Sequence, residues 1–151
     1  YPLRHTLSAH GFVSRGLCVI SPEHRLQQIT EQTRIQQDHE RLVCLLADGT
    51  EREVAPDTFV SMNFWGFTPR IFDFLGRGFE AFLQENGRDG KAEFMIPSAV
   101  ESVIRRGAAE VHVMYSHDEW FGVTYPQDKP VATQKILQLV KAGIYPAKLW
   151  E

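Results

Sequence analysis

The sequence predicts an α/β chain, a mixed sheet covered by about three helices with a β-hairpin inserted among the strands. Three observations predict it. Over positions 1–67 apolar residues come in short alternating or clustered runs, the mark of strands. From position 68 they recur at three- and four-residue spacing, the mark of amphipathic helices. Two more strand-like runs then separate the last two helices, so strands and helices share one body. With 151 residues, 43% of them hydrophobic, residues 1–151 read as a single domain with its own core.

Residues 13–20 hold the dense apolar group Leu17-Cys18-Val19-Ile20 and read as the first strand. Ser21-Pro22-Glu23-His24 reads as a turn. Residues 25–34, with Leu26 and Ile29 among polar neighbours, continue as the hairpin partner. A third strand is expected at 41–46. Asp48-Gly49 is a hairpin turn signal that pairs residues 51–54 back onto it. Residues 59–67 are rich in aromatic and β-branched side chains and read as a buried strand.

Thr68-Pro69 then sets a capping hydroxyl before a proline suited to a first helical turn. Ile71, Phe72, Leu75, Phe79, Phe82 and Leu83 define an amphipathic helix that ends near Asn86-Gly87. Gly76 and Gly78 lower its propensity and permit close packing. A second helix spans 97–106, with Ala99, Val100, Val103 and Ile104 on one face and Gly107 as its stop. Strands are expected at 110–115 and 120–125. A third helix covers 128–142, with Pro130 in its first turn and Gly143 as its C-cap. The tail, with Ile144, Tyr145, Leu149 and Trp150, is expected to dock on the body.

Composition narrows the function. A net charge of -3 gives no electrostatic reason for nucleic acid or an anionic membrane as partner. No apolar run approaches the roughly 18 residues that span a bilayer. Cys18 and Cys44 sit in strand-like runs and read as buried free thiols, with a disulfide or metal role as the alternative. Free thiols fit a reducing, cytoplasmic compartment. The opening Tyr1-Pro2-Leu3, without Met and within what reads as ordered structure, suggests a truncated or processed chain.

Few residues announce chemistry. None of the six histidines has the paired helical spacing of a zinc site, and GxSxG, GxxxxGK and CxxC are absent. His117-Asp118-Glu119 reads as a solvated turn or a polar site. Glu31 within a strand and Glu93 before a helix can accept hydrogen bonds from sugar hydroxyls, or pair with a neighbouring cation. Asn63, between Met62 and Phe64, lines a polar pocket or bonds locally to backbone; unpartnered, it would cost about 1–3 kcal/mol. Trp65, two residues on, is expected on the same side.

Several stretches together resemble one group of bacterial sugar-1-phosphate nucleotidyltransferases. They are Val60-Ser61-Met62-Asn63-Phe64-Trp65-Gly66-Phe67-Thr68-Pro69 with Ile71-Phe72-Asp73, and His10-Gly11 through Val13-Ser14-Arg15-Gly16. Lys91-Ala92-Glu93-Phe94 with Ile96-Pro97, Trp120-Phe121-Gly122-Val123-Thr124-Tyr125, and Gly143-Ile144-Tyr145-Pro146 with Leu149-Trp150 complete the set. The match runs in order along nearly the whole chain. It implies the C-terminal, sugar-phosphate-binding part of a nucleotidyltransferase with a Rossmann-like, mostly parallel sheet. The family joins a nucleoside triphosphate (NTP) to a sugar 1-phosphate with Mg2+, by direct attack of a phosphate oxygen on the α-phosphorus. The glycine-rich loop and first metal-binding Asp of that family have no counterpart here, so the NTP would bind through an N-terminal half and this chain alone is expected to be inactive.

By the same resemblance, Gly11 contacts the sugar through its backbone, Glu31 accepts bonds from sugar hydroxyls, and Asn63 lies on the sugar-contacting strand. Thr124 lies near the second metal position. Many relatives carry Glu-Lys-Pro where this chain has Glu31-Gln32-Thr33; Arg15 or Arg34 is expected to replace the missing lysine against the phosphate. Many relatives also carry a magnesium-binding Asp where this chain has Gly122, which puts metal ligation in doubt, although the nearest subgroup shares that Gly. Residues 36–58 look like a subgroup insertion. UTP and glucose 1-phosphate are the default substrates. The alternatives are a non-catalytic carbohydrate-binding or regulatory module, and transfer to choline phosphate or another alcohol phosphate. A sheet lacking its other half exposes an edge and apolar surface, so self-association is expected.

Overall fold

A computed structural model describes residues 1–148 apart from positions 40, 47 and 124. It contains β1 (Val13–Ile20), β2 (Leu26–Asp38), β3 (Arg41–Leu45), β4 (Glu51–Glu53), β5 (Val60–Ser61), α1 (Ile71–Asn86), α2 (Ile96–Arg105) and α3 (Asp128–Lys141). The strands make one five-stranded sheet in the order β4-β3-β2-β1-β5, and every pairing in it is antiparallel. The chain is therefore mixed α and β, as expected, but its sheet is not the mostly parallel one that the resemblance implies.

The hairpin path is clear. The turn Ser21–Arg25 closes through a backbone bond from Ser21 N to Arg25 O, with the Ser21 hydroxyl also accepting from Glu23 N. The β3–β4 connection is held by Asp48, whose Oδ1 accepts from both Thr50 N and Thr50 Oγ1. Gly49 takes φ 84 there, a conformation that favours glycine.

One irregularity organises the sheet. Val13 pairs with Ile35 but Arg15 pairs with Gln32, so β2 carries one more residue than β1 between them. This is a β-bulge at Thr33-Arg34, and Arg34 has φ 58. Side chains alternate along a strand, so the extra residue reverses which face the rest of β2 presents. Ile29 accordingly packs with Leu26 and Val100 of α2, while Ile35 packs with Leu3, Val13, Leu42, Cys44, Val54 and Val60 on the other side. A second shift, between Val19 and Ile20, returns Leu26 to the α2 side. Helix α2 also repairs the ladder: Glu101 Oε2 accepts from Ile29 N at 2.7 Å.

Four expectations need correction. The strand at 59–67 is only Val60–Ser61; Asn63 adopts φ 56, which ends the extended run, and Phe64 is 92% exposed. Among the described residues, the segments 110–115 and 120–125 form no strand. The backbone pairing of the first is confined to the start of β2 and the turn before it, through the Arg25↔His112 bridge, Leu26 N to Val111 O and Val113 N to His24 O. The second is tied by Trp120 N to His5 O. Helix α1 begins at Ile71 without a side-chain cap, so Thr68 contributes its carbonyl (Ile71 N to Thr68 O) and not its hydroxyl. Of the tail, Ile144 and Tyr145 are exposed, and Leu149 and Trp150 lie outside the described residues. Both cysteines are free, with Cys44 buried and Cys18 partly so.

Helix packing is uneven. Only α2 is seated on the sheet, through buried Ala99, Val100 and Val103. Helix α1 buries none of its residues, because its apolar face has only Phe94 and the edge of α2 to meet. The core cost should follow this division. Ile35→Ala is expected to lower the unfolding free energy by about 2–5 kcal/mol. Phe72→Ala, at a side chain 71% exposed, is expected to change it by no more than about 0.5 kcal/mol. Urea unfolding of the two variants checks both values.

Candidate functional site

The bulge gathers most of the sequence-predicted residues at one end of the β1–β2 ladder. Arg15 and Glu31 lie on adjacent strands, one register step apart, with Gly16 opposite Glu31 and Arg15 opposite Gln32. Their side chains leave the ladder on opposite faces, but beside an open edge, because β5 covers β1 only at Gly16 and Leu17.

Arg15 lies under cover from the chain's first residues. Nη1 donates to Ser14 O at 2.7 Å, Nη2 donates to Thr6 O, and the guanidinium lies over the Trp120 ring at 4.9 Å. Thr6 is fully buried, its hydroxyl donating to Leu3 O. Arg15 Nε is buried with no hydrogen-bond partner, as is Nδ1 of neighbouring His5. Across the ladder, Glu31 Oε2 is likewise buried and unpartnered. Gly16 makes room for it. A Cβ there would stand 2.8 Å from Ile29 Cδ1 and 3.5 Å from Glu31 Oε2.

Burial pushes both groups towards neutrality. It raises the Glu31 carboxyl above its ordinary value and lowers the Arg15 guanidinium below its own, and in each case the charge of the other pulls part of the way back. The two feel each other without a direct ion pair. A half-buried carboxylate and guanidinium, each one bond short, can hold a ligand that offers hydroxyl donors to one and anionic acceptors to the other.

The other predicted residues fall as follows. Arg34, at the bulge, is exposed and lies over the Phe12 ring at 4.9 Å. Gly11 precedes Phe12, and a Cβ on it would come 2.3 Å from Tyr125 Oη, which itself donates to Phe12 O at 3.3 Å. The close approach at Gly11 is thus made by Tyr125. Asn63 does not line a buried pocket. It is exposed at a turn, and its Oδ1 accepts from Trp65 Nε1 at 3.3 Å. Thr124 lies outside the described residues. Glu93 is exposed.

His5, Thr6 and Trp120 were missed from sequence. They come from distant segments that the backbone bond Trp120 N to His5 O and the Arg15 side chain bring together. Gly122 offers no ligand, and a Cβ there would press on Trp120 at 2.5 Å; among the described residues no group of three His, Cys, Asp or Glu can hold a metal ion. Among the described residues no helix is long and apolar enough to cross a membrane. The chain matches no known family model and no curated protein sequence.

The pH dependence of stability tests the electrostatic account. The folded chain holds the Glu31 proton more tightly than the unfolded chain, whose carboxyl titrates near the ordinary 4.5. The stability this contributes is complete below that value and is lost as pH rises through the raised folded value. Glu31→Gln has no such proton to lose. Its stability relative to the natural chain is expected to rise between about pH 4 and about pH 7 in urea unfolding; a constant difference would contradict the account.

Proposed function

We propose that this chain is the sugar-1-phosphate-binding part of a nucleotidyltransferase, which makes a nucleotide sugar and pyrophosphate with an NTP held by another segment. One observation carries the reading: the coupled, half-buried Arg15 and Glu31, each with a buried polar atom that lacks a partner. A sugar 1-phosphate supplies what both lack. Its phosphate oxygens only accept, which suits the forked guanidinium, and its hydroxyls donate to a carboxylate. The low surrounding polarity strengthens both bonds. Arg34 adds a second cation near the bulge, while Gly11, Asn63 and Thr124 join the site by resemblance alone.

Under this reading the antiparallel sheet is the flank of a larger, Rossmann-like sheet. Orienting the acceptor phosphate for in-line attack is then the chain's share of the reaction. Among the described residues there is no group of three His, Cys, Asp or Glu that could hold a metal ion, and the chain's assigned share is limited to binding and orienting the sugar phosphate. Chemistry of this kind belongs in the cytoplasm, where nucleoside triphosphates are held.

Calorimetric titration tests the proposal. Glucose 1-phosphate is expected to bind the isolated chain, and Glu31→Gln and Arg15→Gln each to weaken it by at least about 10-fold. UTP is expected to give no binding heat. Unchanged affinity in both variants, or tight UTP binding, would contradict the assignment.

A further inference from the structure

The chain exposes more surface than its mass warrants. A compact monomer of 17.3 kDa shows about 7,800 Å2, whereas this chain shows 11175 Å2. The surplus, on the order of 3,400 Å2, far exceeds the roughly 800 Å2 per partner of a stable interface. Part of it is concentrated. A groove of about 920 Å3 runs along the α2 side of the sheet, floored by Leu26, Val100 and Val103 and walled by Trp65. At its rim stand Phe64, 92% exposed, and Met114, 84% exposed. A monomer gains nothing by holding a phenylalanine almost wholly in water beside an unfilled apolar groove.

Knob and groove on one patch make that patch self-complementary, the condition for a two-fold contact. The rim carries both signs of charge, Arg70 and Asp118, so a two-fold contact can set unlike charges opposite each other. A net charge of -3 adds little repulsion between copies. The sheet edge is the poorer route. β4 reads Glu51-Arg52-Glu53, all exposed. Antiparallel pairing of two such edges about Arg52 would set Arg against Arg and Glu against Glu. We propose that this groove is the interface of a two-fold dimer of the chain, in which Phe64 of each copy fills the groove of the other.

Sedimentation velocity from about 1 to 200 µM tests it, with Phe64→Asp to remove the knob and Arg52→Ala to alter the sheet edge. The natural chain is expected to form a dimer that saturates without larger species. Phe64→Asp is expected to raise the dimer Kd at least about 100-fold, since two buried rings are lost. Its far-UV circular dichroism should be unchanged at low concentration, because the ring contributes little to the monomer. Arg52→Ala is expected to leave the Kd within about 2-fold. A natural chain still monomeric at about 200 µM, open-ended association without a dimer plateau, or a dimer weakened by Arg52→Ala and indifferent to Phe64→Asp would each overturn the proposal.

Discussion

The extra residue in β2 at Thr33-Arg34 is the constraint on which the rest depends. A regular strand would carry Ile29, Glu31 and Ile35 on one face. With the bulge, Ile35 goes to the core beneath Leu3 and Leu42, while Ile29 and Glu31 stay on the side of α2. Two cores then form on opposite sides of a single sheet, and one strand serves both. The bulge also lies beside the uncovered end of β1, where Arg15 and Glu31 are shielded from water yet not fully partnered. Bulges gather beside functional sites because they re-aim side chains without ending the pairing.

The electrostatics follow from that placement. Burial works against the charged form of both Arg15 and Glu31, and each is the charge that opposes the shift in the other. The same burial raises the Cys18 thiol to about 11, so it is a packed apolar group and not a nucleophile. A carboxylate held this way is weakly stabilised by its surroundings and more strongly by whatever donates to its free oxygen. The site therefore favours a ligand with several donors over an isolated cation.

Periodicity made much of the fold legible. The runs at 13–20 and 41–46 and the helices at 71–86, 97–106 and 128–142 all rest on patterns of period two or near four, and the structure forms each within a residue or two. Patterns also failed where context decides. Residues 62–67 look like a buried strand because they are aromatic, but Asn63 turns the backbone and leaves Phe64 in water. Residues 110–115 alternate as a strand does, yet their pairing stops at the Arg25↔His112 bridge and the bonds beside it. The bulge has no local signal in Thr33-Arg34, since neither residue is typical of a positive φ. Glu31 was legible as a carboxylate out of place in a strand. The cover over Arg15, made by His5, Thr6 and Trp120, depends on a contact between residues more than a hundred positions apart and was not.

Whether Arg15 and Glu31 form one site is the central claim, because they leave the ladder on different faces and meet only around its open edge. The most direct measurement follows the Arg15 Nε–H signal and the backbone amides of Gly16 and Glu31 by nuclear magnetic resonance during titration with glucose 1-phosphate. The account predicts that all three move together and saturate with a single Kd. Movement of the Arg15 signal without the two amides, movement of the amides without Arg15, or shifts confined to groove residues such as Met114, would contradict it.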